Sequence, residues 1–295
     1  PKAVLKTYYD TAAVNDLEFH PTVGLLASAS KDNSVKMFDI LSLQKSSGTG
    51  GPVKKSMKAI TETCNVRSLS FHPCGDYLLI GTDHHIIRLY DLGTLSCFTT
   101  NLTAPVGATS VSSSHHSGQI NQVRWNSQGN MYASGSKDGS IKLWDGVTGQ
   151  CAKTVLKAHN GTEVCSVRFS KNSKYLLTSG KDGIVRLWDL VGGMRELRSY
   201  IATTVTHADR AAGKNYPEQK YRLQACFSST EDWVIGCDER SNTAVIWDTR
   251  NASIQQRLTG HSNVVRWVSA SPIEPLIMSA SSDYRARLYA DSTIH

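Results

Sequence analysis

The sequence predicts an all-β fold built from one structural unit used six times. Two observations predict it: a short strand signature that recurs along the whole chain, and a fixed order of strands and turns around each recurrence. The signature reads apolar, basic, apolar, aromatic, Asp. It appears as Val35-Lys36-Met37-Phe38-Asp39, Ile87-Arg88-Leu89-Tyr90-Asp91, Ile141-Lys142-Leu143-Trp144-Asp145 and Val185-Arg186-Leu187-Trp188-Asp189. A weaker copy is Ala244-Val245-Ile246-Trp247-Asp248, and the last, Ala286-Arg287-Leu288-Tyr289, lacks its Asp. Within each repeat an apolar run ending in an aromatic comes first, as in Val164–Phe169. A turn follows, such as His72-Pro73-Cys74-Gly75-Asp76, then a strand ending in small residues, Tyr132–Ser136, and a tight Lys137-Asp138-Gly139 turn into the signature. Strands of four to eight residues broken by Gly, Pro, Asn and Asp, without helical periodicity, exclude a helical repeat. A lone four-stranded sheet cannot bury both faces, so such sheets stack as the blades of a propeller.

The repeats fall at about 11–60, 61–100, 117–157, 158–200, 220–258 and 259–291 of one domain spanning 1–295, with insertions at 40–53, 101–118 and 201–220. Residues 1–10, with Ala3-Val4-Leu5-Lys6-Thr7-Tyr8-Tyr9, read as an outer fourth strand of a preceding or a closing blade. The last repeat ends after its third strand. An N-terminal strand completing it is one expectation; a missing earlier blade is the other. An open ring exposes long strand edges.

These repeats resemble the WD40 family over nearly the whole chain. The resemblance implies a buried hydrogen-bond tetrad of His, Ser or Thr, turn Asp and Trp. His159, Thr178, Asp182 and Trp188 match it fully, and His116, Ser134, Asp138 and Trp144 nearly so. Elsewhere the pattern is eroded: His84 and Ser241 stand at the turn Asp, and Phe38, Tyr90 and Tyr289 replace Trp. Phe38 has no hydrogen to donate. These tetrads are structural, and a stranded buried partner costs roughly 1–3 kcal/mol.

Of 295 residues, 40% are hydrophobic and 19% charged, enough for a core and too few charges for a disordered polyelectrolyte. No apolar run of about 18 residues occurs, so no membrane partner is expected. The N-terminus has no signal-peptide pattern and no Met, and a fragment of a longer chain is expected. Seven cysteines without a C-x-x-C pair argue for a reducing, intracellular setting rather than a disulfide framework. Sequons at Asn101, Asn160 and Asn251 read as chance in a chain rich in Ser and Thr.

No catalytic constellation emerges, and neither a cofactor nor a metal is expected; the chain is not expected to be an enzyme. Gly50-Gly51-Pro52-Val53-Lys54-Lys55-Ser56 lacks the glycine and the strand–loop–helix setting of a phosphate loop. The doublets His84-His85 and His115-His116 belong to no H-E-x-x-H or Cys/His cluster, and neighbours on a strand point to opposite faces. No G-x-S-x-G elbow is present. The formal charge of +7 permits an anionic partner. The residue before each turn Asp is Lys31, Asp83, Lys137, Lys181, Arg240 or Ser282, four of six basic, and Arg67 and Arg266 share a position in the first strand. In the WD40 family that position rims a partner-binding face. These basic residues are candidate partner contacts for an acidic peptide or RNA; exposed turns also favour Lys for no functional reason. The insertions at 101–118 and 201–220 are long enough to be functional.

Residues 131–145, the run Phe169-Ser170-Lys171-Asn172-Ser173-Lys174-Tyr175 leading to Asp182, and the ending Asp283-Tyr284-Arg285-Ala286-Arg287 resemble the WD-repeat subunits of cleavage stimulation factor. That resemblance implies a nuclear, non-catalytic scaffold in pre-mRNA 3′-end cleavage and polyadenylation. It would dock on a helical-repeat subunit, with weak or indirect RNA contact. It also implies seven blades and an N-terminal dimerisation segment, which this chain is expected to lack together with the first blade. The alternative is a substrate receptor of a cullin-type ubiquitin ligase, from Trp247-Asp248-Thr249-Arg250.

Overall fold

A computed structural model of the protein describes residues 10–40, 56–98, 115–202 and 219–290. Among the described residues every regular element is a strand, and the strands form six antiparallel sheets, the blades of a β-propeller. The first blade holds β1 (Val14–Phe19), β2 (Leu25–Ser30), β3 (Ser34–Asp39) and β4 (Lys58–Thr61). The second holds β5 (Val66–Phe71), β6 (Tyr77–Thr82) and β7 (Arg88–Asp91), extended by a Tyr90–Cys97 bridge. The third is β8 (Ile120–Trp125), β9 (Met131–Ser136), β10 (Ile141–Asp145) and β11 (Cys151–Val155). The fourth is β12 (Val164–Phe169), β13 (Tyr175–Gly180), β14 (Ile184–Asp189) and β15 (Arg195–Ile201). The fifth is β16 (Ala225–Phe227), β17 (Trp233–Asp238), β18 (Thr243–Asp248) and β19 (Ile254–Leu258). The last has three described strands, β20 (Val265–Ala270), β21 (Leu276–Ser281) and β22 (Ala286–Ala290). The expected outer strand at 1–10 lies outside the described residues except for Asp10, as do most of the insertions.

Contacts gather the chain into two compact units, residues 1–134 with 144–151 and residues 135–143 with 152–295. In unit 1, Leu69, Leu78 and Ile80 pack with Ala27, Val35 and Met37 in one core. Leu79, Ile120, Val123, Trp125 and Trp144 make another. In unit 2, Leu177, Val185 and Tyr200 pack against Val234, Val245 and Trp247, and Ile235, Ala244 and Ile246 against Val265, Val268 and Ile277. The alternating Val, Ile and Leu of the central strands supply these interfaces because each central strand is covered on both faces.

Polar side chains of the first strands stitch blade to blade where no ladder does. In unit 1 the Leu69 N–H donates to Asp16 Oδ2 at 3.0 Å, the Val123 N–H to Ser68 Oγ at 3.3 Å, and the Trp125 N–H to Ser70 Oγ at 3.0 Å. In unit 2 the Ala225 N–H donates to Ser166 Oγ at 3.3 Å. At the first turns of unit 1, His20 Nε2 donates to the Gly75 carbonyl at 2.8 Å and His72 Nε2 to that of Gly129 at 3.1 Å. Both glycines have positive φ, and a Cβ on either would strike the histidine ring within 2.4 Å, so glycine is required twice over.

One expectation is corrected. His84 and His85 do not point apart: their rings stack at 4.2 Å with an interplanar angle of 26°. They sit in the bend between β6 and β7, where strand alternation does not apply.

Candidate functional site

Buried relays hold the end of several blades where the second and third strands turn. In the fourth blade His159 Nδ1 donates to Asp182 Oδ1 at 3.0 Å, and His159 Nε2 accepts from Thr178 Oγ1 at 2.8 Å. Thr178 Oγ1 in turn accepts the Trp188 indole N–H at 2.8 Å. The register explains the geometry: Leu176 faces Trp188 and Thr178 faces Arg186 across β13 and β14. Burial, reinforced by the Arg186 charge, outweighs the pull of Asp182 and holds the His159 pKa below its ordinary value. Burial pushes the Asp182 carboxyl up, but hydrogen bonds and charge from His159 and Arg186 leave it below the usual range. Arg186, which the signature shows only as a basic residue, is buried, with its Nη1 2.7 Å from Asp182 Oδ2.

In the third blade His116 Nε2 and the Trp144 indole N–H meet Ser134 Oγ at 2.7 and 2.8 Å. Asp138 Oδ1 accepts from the N–H and hydroxyl of Ser140 at 2.8 and 2.6 Å.

Sequence reasoning passed over a third relay. In the last blade His261 Nδ1 lies 2.8 Å from Asp283 Oδ2, and His261 Nε2 lies 2.7 Å from Ser279 Oγ. Hydrogen bonds from His261 and the Ser262 N–H outweigh desolvation and hold Asp283 down to about 2. The signal was the spacing: His261 precedes Ser279 by the 18 residues that separate His116 from Ser134. The two remaining relays of unit 1 put an acid at the histidine position. Asp10 accepts from Ser28 Oγ at 3.1 Å and pairs with Lys36, which also pairs with Asp32. Glu62 Oε1 accepts the Tyr90 hydroxyl directly at 2.7 Å, because Ile80 occupies the Ser/Thr position and offers no hydroxyl to bridge them. In the fifth blade Ser241 does not replace the turn acid. Asp238, three residues earlier, takes that role, accepting from Ser241 Oγ at 2.6 Å and pairing with Arg257 at 3.1 Å.

The basic candidates divide by their surroundings. In unit 1 Lys31 is exposed, whereas Arg67 is paired with Asp83 and donates to Gln119 Oε1 at 3.1 Å. In unit 2 Lys137, Arg240 and Arg266 are exposed, and Lys181 pairs with Glu163 at 3.2 Å. No carboxylate lies within ion-pair distance of Lys31, Lys137, Arg240 or Arg266 among the described residues. Arg67 and Arg266 share a physical origin. The register of the first strand slips between Val66 and Ser68 and between Val265 and Trp267, so each arginine is the extra residue of a β-bulge, released from the ladder. Arg266 lies 4.6 Å from the centre of the Tyr221 ring, and Lys220 lies 5.2 Å from it. No group of three or more His, Cys, Asp or Glu suited to a metal occurs among the described residues.

Four-stranded blades pinned by His, Ser/Thr and Trp relays define a WD-repeat propeller, and the chain belongs to the WD40 family. The family profile, WD domain, G-beta repeat, matches residues 2–39, 54–91, 108–145, 149–189 and 252–290. The stretch between the last two matches holds most of the fifth blade, with its displaced Asp238. The chain is 39% identical to Cleavage stimulation factor subunit 50 of Arabidopsis thaliana over 99% of this chain and 61% of that protein, so it spans about three-fifths of that relative. It is 32% identical to COMPASS component SWD1 of Saccharomyces cerevisiae over 31% of this chain and 20% of that protein. It is 30% identical to the human Serine-threonine kinase receptor-associated protein over 32% and 23% of the respective chains.

Proposed function

We propose that this chain is a non-catalytic scaffold of the nuclear pre-mRNA 3′-end cleavage and polyadenylation machinery, docking on the helical-repeat subunit of cleavage stimulation factor. The observation that carries the reading is 39% identity sustained over 99% of the chain, where the two other relatives named above match over 31% and 32% of it. Lys31, Arg67, Lys137, Lys181, Arg240 and Arg266 serve as the partner-facing cations, with Arg67 and Lys181 muted by their carboxylates. RNA contact is weak or indirect. If four cations bound single-stranded RNA directly, affinity would fall with salt at a log–log slope of about −3; a flat response is expected.

A second reading, a substrate receptor of a cullin-type ligase, is favoured by one observation. Arg250 of the Trp247-Asp248-Thr249-Arg250 segment is 87% exposed and only 3.8 Å from an exposed Asp232. Affinity purification from nuclear extract separates the two. Recovery of polyadenylation-factor subunits is expected; recovery of a ligase adaptor in their place overturns the first reading.

A further inference from the structure

One end of unit 2 carries an aromatic at a turn position where its fold needs none. Tyr284 sits in the turn between β21 and β22 with φ of 64° and its side chain fully exposed. The equivalent turns put Gly139 and Gly183 at φ of 78° and 75°, and Asn33 and Asn242 at 66° and 55°. The turn itself imposes this left-handed region, closed by the Tyr284 N–H donating to the Ser281 carbonyl at 3.2 Å. Glycine and asparagine fill it at little cost, whereas a bulky tyrosine is a costlier choice, and here its ring stands fully in solvent.

The surroundings say what that ring meets. The Ser282 N–H donates to the Val264 carbonyl at 2.9 Å, so the Tyr284 turn shares its end of the sheet with Arg266. Arg266 lies over Tyr221 together with Lys220, and the Tyr221 N–H donates to Glu239 Oε2 at 3.1 Å beside the exposed Arg240. Lys220 and Arg266 therefore flank Tyr221, the exposed Arg240 follows the Glu239 that accepts from Tyr221, and the Tyr284 turn lies at the Arg266 end of its sheet. Tyr and Arg are the residue types that dominate protein–protein hot spots. Binding of single-stranded nucleic acid stacks successive bases on several open rings. Here cations already cover Tyr221, and Glu239 stands within the cluster.

From this the geometry points to a docking surface, formed by Tyr284, Arg266, Tyr221, Lys220 and Arg240, for an acidic protein segment carrying an apolar anchor. The cations pair with its carboxylates and the open face of Tyr284 receives the anchor. This rests on the reading of the chain as a protein-docking scaffold and names the chemistry of one partner site.

The test uses a fluorescein-labelled peptide of about a dozen Glu and Asp residues around one Trp, with oligouridylate of matched charge as competitor. Tyr284→Gly relieves the strained φ and is expected to melt no lower than the parent, yet to bind the peptide about tenfold more weakly. Arg266→Glu weakens binding at least as much, and Lys174→Glu, an exposed lysine in the turn between β12 and β13, leaves it unchanged. Parent-like peptide binding by Tyr284→Gly overturns the proposal, as does oligouridylate that displaces the peptide and loses affinity in Arg266→Glu. Passing the same proteins through nuclear extract keeps the two readings apart. If processing subunits co-purify with the parent while the peptide arm is unchanged by Tyr284→Gly, the surface proposal alone falls. If a ligase adaptor replaces those subunits while the peptide arm behaves as expected, the proposed function alone falls.

Discussion

Asp16 and Arg124, 108 residues apart in the chain, meet side by side inside unit 1. Nη1 of Arg124 lies 3.0 Å from Asp16 Oδ2, and Nη2 lies 3.2 Å from Oδ1. The guanidinium also donates to the Leu69 and Val123 carbonyls at 2.5 and 2.8 Å, and Asp16 accepts from Ser68 Oγ and the Leu69 N–H. The pair thereby ties the first strands of three successive blades. Burial alone would lower the Arg124 pKa, but Asp16 and Glu18 reverse the effect and hold it above its ordinary value. Asp16→Ala strands a buried cation and is expected to cost about 3–5 kcal/mol. Asp16→Ala with Arg124→Met removes both charges and should recover much of that loss in urea denaturation. Equal losses in the single and double variants would refute the account.

Thr178 is the hub of the fourth-blade relay, serving His159 and Trp188 with one hydroxyl. Thr178→Val keeps the shape and strands both ring nitrogens, at about 1–3 kcal/mol for each group. Trp188→Phe removes the donor and leaves only a spare lone pair on Thr178, so its loss beyond ring packing is smaller. Chemical denaturation of both variants is expected to rank Thr178→Val as the more damaging.

His159 makes stability depend on pH in a definite direction. Its folded pKa lies below the ordinary value, mainly through burial. As pH falls below about 6.5, the unfolded chain takes up a proton that folded His159 refuses, and stability declines until the pH reaches the lowered folded value. Asp182 acts in a separate window. Its depressed pKa contributes stability above about pH 4 that is lost as pH falls further. With 10 histidines in the chain, the informative quantity is a difference. The melting temperature of His159→Gln should fall less than that of the parent between about pH 7 and pH 5.5.

The cysteines should separate by reactivity. Cys165 is buried and desolvation pushes its thiol up to about 12; burial raises Cys237 as well. Cys74 is exposed in the turn before β6. Alkylation followed by peptide mapping is expected to modify Cys74 in the folded protein and Cys165 and Cys237 only on unfolding. Modification of Cys165 under native conditions would contradict its packing in β12.

The strand order was legible because the ladder depends on local pattern: alternation, turn residues and a signature ending in aromatic-Asp. The relays were legible only where residue type followed the family. His261 was passed over because Tyr289 stands in place of Trp, although the spacing to Ser279 matched. Asp10 and Glu62 escaped for a deeper reason: a carboxylate fills the histidine position by pairing with Lys36 or accepting from Tyr90, and no type-based pattern anticipates that exchange. The strain at Tyr284 is a backbone property, visible only once φ is known. The stacking of His84 on His85 likewise depends on a bend that the strand pattern does not reveal.

The extra residue near the start of the first strand frees one side chain per blade from the ladder. Asn15, Arg67, Cys165 and Arg266 occupy that place in four blades. Each answers to its own surroundings: Asn15 donates to the Val66 carbonyl at 2.6 Å, Arg67 pairs with Asp83, Cys165 is buried and Arg266 is exposed over Tyr221. One slip in register thus delivers a seam bond, an ion pair, a packed thiol or an open cation, with the pairing on either side untouched.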